Sequence, residues 1–353
     1  DFVRASGRLQ TLLYKEDVES ALRTPGMGGF QLLQLHDFPG QGTALVGVLD
    51  PFWEGKGYVT PDEFRRFCSR TVPLARLDER VFTTSDTLEA DIEVSHFGAA
   101  PIPDARATWR LVGGDGKTVA SGELGPRVLP VDNGTPLGRV RVPLADLAAP
   151  ARYRFVVGLV GTPFENDWDV WVYPVDPGVD PAAGVTLAET LDEATVSRLR
   201  DGGRVLLQIP PVRVRGDETR PVALGFSSIF WNTAWTSGQA PHTLGILCDP
   251  EHPAFDRFPT DFHSNWQWWY LVSRAAAMVL DDLPRALRPT VQVIDDWFTN
   301  RRLRLVEEAN EGEGRMLGTS LDLTTGLADN DGARQLRRSL LDDMASVRFA
   351  PTV

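Results

Sequence analysis

Two cysteines in 353 residues are too few to staple a chain of this length. Cys68 and Cys248 also stand far apart in the sequence, and they read as buried free thiols rather than as a disulfide. Long apolar runs are missing as well. None approaches the roughly 20 residues that a membrane-crossing helix needs, so no membrane span is expected. Positive charge is in deficit: 36 Lys and Arg face 48 Asp and Glu, giving a net charge of -12 and a pI near 5.0. A nucleic-acid partner wants a clustered cationic surface, and this balance argues against one. The first residues, DFVRASGRLQ, lack the basic-then-apolar pattern of an export leader. Histidine is scarce and poorly spaced for metal binding. His242, His252 and His263 have Asp249, Glu251 and Asp261 nearby, but compact metal motifs use ligand pairs two to five residues apart. No metal and no cofactor are expected.

Hydrophobic patterning divides the chain into regions. In residues 1–72, residues 14–23 and 61–68 read as helices. Between them, the apolar run of residues 28–35, GGFQLLQL, reads as a strand buried on both faces. A polar loop, HDFPGQG, follows it. In barrel enzymes, binding groups sit on the loops that follow parallel strands. One helix–strand–loop–helix unit cannot close a barrel, so these residues read as the end of an incomplete one.

Residues 73–174 change to short strands at intervals of about ten residues, the spacing of an Ig-like β-sandwich of about 100 residues. Leu88, Ala90, Ile92 and Val94 alternate with polar neighbours, and Gly113-Gly114-Asp115-Gly116 is a hairpin signal. Residues 175–184, VDPGVDPAAG, form a Pro/Gly linker. In residues 185–353, helices at 192–200, 268–280 and 332–346 alternate with strands at 204–209, 243–248, 291–294 and 316–320. This alternation predicts an open parallel α/β sheet with helices on both faces. The pairs Arg301-Arg302 and Glu307-Glu308 read as solvated surface.

The segment GGFQLLQLHDFPGQGTALVGVLDPFW, preceded by YKEDVESALRTPG, resembles the last barrel strand of glycoside hydrolase family 2, the β-galactosidase-like group. WNTAWTSGQAPHTLGILCDPEHPAF, FPTDFHSNWQWW and VQVIDDWFTNRRL resemble C-terminal regions of large bacterial members. The resemblance implies a C-terminal fragment of a retaining glycosidase acting on β-glycosides. It would comprise the end of a (β/α)8 barrel, an Ig-like sandwich and a flavodoxin-like or class I amidotransferase-like α/β domain. The family's two catalytic glutamates lie on earlier barrel strands, and no Asn-Glu pair followed by a barrel strand occurs here. No catalytic residue is therefore expected in this chain. The implied partners are a carbohydrate substrate, the missing N-terminal part of the same enzyme and, in some assemblies, a second copy. Bacterial origin is implied, with cytoplasm and export both open. The alternative is a non-catalytic carbohydrate-binding or assembly module.

Five residues are expected to contact sugar. His36, Asp37 and Gln41 follow the barrel strand and offer hydroxyl-binding groups, although Asp37 also suits a turn cap and His36 also suits packing. Phe38 or Leu35 would supply the aromatic or apolar platform. Trp266 stands for a cluster of Trp231, Trp235, Trp266, Trp268, Trp269 and Trp297, interleaved with Asn232, His263, Asn265 and Gln267. Aromatic faces stack on sugar C–H faces, but tryptophans also fill interdomain gaps. Asp295-Asp296 follows a strand, where one carboxylate would face a ligand and the other would cap. Cys248 lacks the small neighbours of a nucleophile elbow, since Asp249-Pro250 follows it.

Overall fold

The computed structural model describes residues 1–38, 40, 46–176, 178, 184–214, 222–227, 243–296, 299–325 and 327–352. The chain divides into two compact units, Gln10–Val175 and Asp1–Leu9 with Asp176–Val353. Residues 10–72 thus cluster with the following β-rich region. No described helix is long and apolar enough to cross a membrane.

In the first unit, the helix α1 (Phe2–Arg23) contributes its residues from Gln10 onward. It begins well before residue 14, where the sequence reading placed its start. Ala5, Leu9, Leu13, Val18 and Leu22 are buried at near-helical spacing, and this stripe extends the helix. The helix α2 (Pro61–Phe67) starts at a capping box. Glu63 N donates to Thr60 Oγ1 at 3.2 Å, and Thr60 N donates to Glu63 Oε2 at 2.9 Å. Val18 and Leu22 pack with Phe67, Val72 and Leu74.

Two sheets follow. The strands β1 (Thr71–Arg76), β3 (Thr87–His96) and β6 (Asp132–Pro143) pair antiparallel in the order β1-β3-β6. The second sheet runs β2-β8-β7-β4-β5, from β2 (Val81–Thr83), β8 (Glu165–Tyr173), β7 (Ala151–Leu159), β4 (Ile102–Gly113) and β5 (Thr118–Leu129). All its pairs are antiparallel except β2 with β8. The expected alternation holds in β3, where Leu88, Ala90, Ile92 and Val94 are buried. They share one core with Leu111, Phe155, Trp168 and Val170 of the facing sheet. Each such side chain contributes about 1.5–3 kcal/mol on burial. The β4–β5 turn falls at the glycine-rich signal, and Gly116 occupies φ +79, where a side chain would be strained.

Helix α1 is tied to the sandwich by a buried ion cluster. Glu19, fully buried, accepts from Lys15 Nζ, from Asn166 Nδ2 at 2.7 Å and from Trp168 Nε1 at 3.0 Å. Lys15 Nζ also donates to Asn166 Oδ1 at 2.6 Å and sits 4.8 Å from the Trp168 ring. Asn166 Nδ2 donates to Pro73 O at 2.9 Å. Burial pushes the Glu19 carboxyl up, but Lys15, Asn166 and Trp168 together hold it below the usual range.

The second unit carries one mixed sheet in the order β11-β13-β14-β15-β10-β9, with β12 on β14. Its strands are β9 (Val185–Ala188), β10 (Arg204–Gln208), β11 (Ile246–Cys248), β12 (Met278–Val279), β13 (Pro289–Val293), β14 (Leu303–Glu311) and β15 (Gly314–Thr319). The helix α3 (Glu193–Arg200) links the parallel pair β9–β10. Its cap is Asp192, which accepts from Thr195 N at 2.8 Å. The sheet is not wholly parallel. Only β9–β10 and β10–β15 are parallel pairs, and the others run antiparallel. The reason is local: β14 and β15 join through a tight turn at Gly312, φ +62, and so short a connection can only make a hairpin. The helix α4 (Trp268–Ser273) stops short of residue 280, because Met278 and Val279 pair with β14 instead. The helix α5 (Asp331–Ala345) begins at Asn330, whose Oδ1 accepts from Ala333 N at 2.6 Å.

Candidate functional site

Residues 28–35 do not form the expected buried strand. They lie outside regular strands, with Phe30, Leu33 and Leu35 exposed by 46, 67 and 40 %. A strand buried on both faces needs hydrogen-bonded neighbours, and among the described residues only Leu49 supplies them. Leu49 N donates to Leu35 O at 3.1 Å, and Asp37 N donates to Leu49 O at 3.0 Å. These bonds set His36 and Asp37 in place.

Gly47 lets the two segments meet. A Cβ there would come within 2.3 Å of the His36 backbone, so the close approach requires glycine. Gly47 N donates to Asp37 Oδ1 at 3.0 Å, and Lys56 Nζ donates to the same oxygen at 2.7 Å. Asp37 is only 4 % exposed and is anchored by both donors. Tyr58 lies beneath, its hydroxyl 2.8 Å from both Gly47 O and Gln10 Oε1. Burial, and then the charge of Asp37, raise the Tyr58 phenol above its ordinary range, so it stays a neutral donor.

His36 faces outward and stacks on Trp53, with ring centroids 4.4 Å apart and planes at 20°. The turn around Asp50 presents that indole: Asp50 Oδ1 accepts from Phe52 N at 2.8 Å and Glu54 N at 2.9 Å, and Trp53 N donates to Asp50 O at 3.1 Å. Trp53 holds φ +69, a costly conformation for a bulky residue, and remains 60 % exposed. Phe38 and Phe52 are exposed in the same segments. The site can therefore offer an imidazole edge, an indole and apolar ground. Sequence reasoning missed Trp53 and Lys56, although Asp50-Pro51 followed by two aromatics marks a turn that displays them. Gln41 lies outside the described residues.

Trp266 belongs to the other unit, where it is half-buried and stacked on Phe226 at 5.7 Å. Its neighbours are largely core. Trp268 is fully buried, packs edge-on against Phe255 and Phe258, and donates from Nε1 to Thr260 Oγ1 at 2.8 Å. Gln267 Nε2 donates to Pro259 O at 3.0 Å and Asn265 Nδ2 to Asp261 Oδ2 at 2.9 Å; His263 Nδ1 is 2.8 Å from Ser264 O. Trp269 is 51 % exposed. Trp231, Asn232, Trp235, His242 and Trp297 lie outside the described residues.

Arg301 and Glu307 depart from the surface reading. Asp295 is buried and forked by Arg301, from Nε at 2.9 Å and Nη2 at 3.0 Å. Asp296 caps the turn through Thr299 N at 2.9 Å. Glu307 is 2 % exposed and pairs with Arg304. Cys248 lines a cleft of about 500 Å³ with Arg4, Asp249, His252 and Phe262, but burial and then Asp261 push its thiol up to about 12. A thiol so protonated is no nucleophile. Both cysteines are free. Among the described residues, His252, Glu308 and Asp343 are the His, Cys, Asp or Glu side chains grouped closely enough to share a metal ion.

Two family models match the chain: "Domain of unknown function (DUF8488)" over residues 86–174 and "Domain of unknown function (DUF8487)" over residues 186–353. The curated proteins include no match. Among solved structures, the β-glucuronidase of Parabacteroides merdae is similar at 13% identity and TM-score 0.23, covering 39% of this chain and 21% of that one. The cycloisomaltooligosaccharide glucanotransferase of a Paenibacillus species is similar at 9% identity and TM-score 0.22, covering 38% and 19%. The CARDB domain of a Pyrococcus furiosus protein is similar at 12% identity and TM-score 0.23, covering 30% and 93%. The chain thus spans about a fifth of the length of those two enzymes. At such low identity and TM-score these likenesses identify no activity.

Proposed function

We propose that this chain is the C-terminal part of a retaining β-glycoside hydrolase of the β-galactosidase-like family. In this reading, residues 1–72 belong to the end of a (β/α)8 barrel, residues 73–174 form an Ig-like spacer and residues 185–353 form an accessory α/β domain whose sheet is mixed. The observation that carries the reading is the exposed apolar stretch running into the His36–Trp53 stack. Met27, Phe30, Leu33 and Leu35 are bare where a barrel strand would be covered by its neighbours. At its end, an imidazole and an indole sit where sugar would be bound. The parent's two carboxyls would stand about 5 Å apart and work through a glycosyl-enzyme intermediate. Asp37, fixed by Gly47 and Lys56, would orient His36, and Trp53 would stack on the sugar. The same exposed stack also favours a second reading, a non-catalytic carbohydrate-binding module.

The test is hydrolysis of a panel of p-nitrophenyl β-glycosides by this chain alone and by the chain with its upstream coding region. Activity that needs the upstream region, and falls at least tenfold in Trp53→Ala, supports the glycosidase. Activity of the 353 residues alone refutes it. Sugar binding without hydrolysis in either form favours the module.

A further inference from the structure

His252, Glu308 and Asp343 come from three separate elements of the second unit. His252 precedes a 3₁₀ turn (Pro253–Phe255), Glu308 lies on β14 and Asp343 on the buried stripe of α5. One ligating atom from each lies within 4.8 Å of the others. His252 Nε2 is 3.6 Å from Glu308 Oε1. These atoms form a ring of one imidazole nitrogen and two carboxylates.

Asp343 makes the arrangement more than an acidic cluster. It is 4 % exposed, and among the described residues neither of its carboxylate oxygens accepts a hydrogen bond; Glu308 Oε1 is likewise buried without one. A buried carboxylate without donors is costly, and native proteins rarely leave one. The neighbouring cations are engaged elsewhere. Arg348 pairs with Asp256, while Arg257 and Arg338 both pair with Asp342. Burial, followed by the charge of Asp343, raises Glu308 to about 7, and burial raises Asp343 to about 6 despite Arg348. Burial also lowers His252.

We propose that His252 Nε2, Glu308 and Asp343 form a zinc-binding site. Imidazole nitrogen with carboxylate oxygen is a zinc ligand set, whereas magnesium and calcium prefer oxygen alone. Three protein ligands leave a fourth position open. His252 also lines the cleft of about 500 Å³ and is 30 % exposed, which gives the ion a way in. His252 Nδ1 now accepts from Ala254 N at 3.2 Å. Coordination through Nε2 moves the ring proton to Nδ1 and gives up this one long neutral bond. That exchange is small beside neutralising two buried carboxylates.

The test is isothermal titration of the EDTA-treated chain with zinc chloride, with zinc X-ray absorption on the loaded protein. The expected result is one ion per chain at micromolar affinity or better. Asp343→Asn and His252→Gln are each expected to weaken binding at least tenfold, and the absorption spectrum to show nitrogen and oxygen ligands without sulfur. Binding unchanged in both variants, no binding, or sulfur in the zinc shell would overturn the site. If a variant fails to fold, the wild-type spectrum decides: one imidazole with carboxylate oxygens upholds it, and any other shell rejects it. Glycoside hydrolysis plays no part in these readouts.

Discussion

Two buried charge clusters, one in each unit, show opposite solutions to the same problem. Around Glu19, a lysine, an amide and an indole N–H converge on a fully buried carboxylate, which stays ionised below its ordinary range. Around Asp343, no donor among the described residues reaches a carboxylate nearly as buried, and its pKa rises to about 6. Burial acts on both in the same direction. The difference lies in whether the protein supplies the partners itself. The first cluster is complete and ties helix α1 to the sandwich. The second is built from carboxylates that the described residues leave without donors.

The largest test of this contrast is Glu19→Ala. It leaves Lys15 buried without its counter-charge and should destabilise the β-rich unit by about 3–5 kcal/mol in urea unfolding. Because the folded pKa of Glu19 is depressed, its contribution is present above the unfolded value near 4.3 and is lost as pH falls further. The gap between wild type and variant should therefore narrow below about pH 4. Next is Trp168→Phe, which keeps most of the packing and deletes one donor to Glu19. A loss of about 2 kcal/mol is expected, as for a hydrogen bond to a charged group. The smallest effect has the opposite sign. Without metal, Asp343→Asn should stabilise the second unit by about 1 kcal/mol at pH 8, since it removes an ionised carboxylate that has no donors. The folded pKa of Asp343 is raised to about 6, so its penalty starts above the unfolded value near 3.9 and is complete above about 6; the gain should shrink as pH falls below 6 and vanish below about pH 4. Destabilisation at pH 8 would mean that the two clusters are alike.

Much of the β-rich unit was legible from short-range pattern. The alternation through Leu88, Ala90, Ile92 and Val94, the turn at Gly116 and the helix near residues 61–68 all appear where the sequence puts them. The errors fell where a local pattern has two meanings. GGFQLLQL is apolar enough for a buried strand, yet the described chain gives it only Leu49 as a neighbour. Glu307 and Glu308 look like surface charge, yet β14 is an interior strand of the sheet. Asp343 left a signal in the sequence: it occupies a position that the helical period reserves for apolar residues, three after Leu340 and seven after Leu336.

The sequence by itself determined the elements whose causes lie within a few residues: the strands, the caps, the hairpin turns, and the charge deficit that argues against a nucleic-acid partner. Tertiary structure alone decided which segments became neighbours. It set Trp53 against His36 across a glycine that admits no side chain, and gathered His252, Glu308 and Asp343 from distant positions. The physical reason is that metal ligation, stacking and the cost of an unpaired charge depend on distance in space. Residues far apart in the chain carry no local pattern that records it.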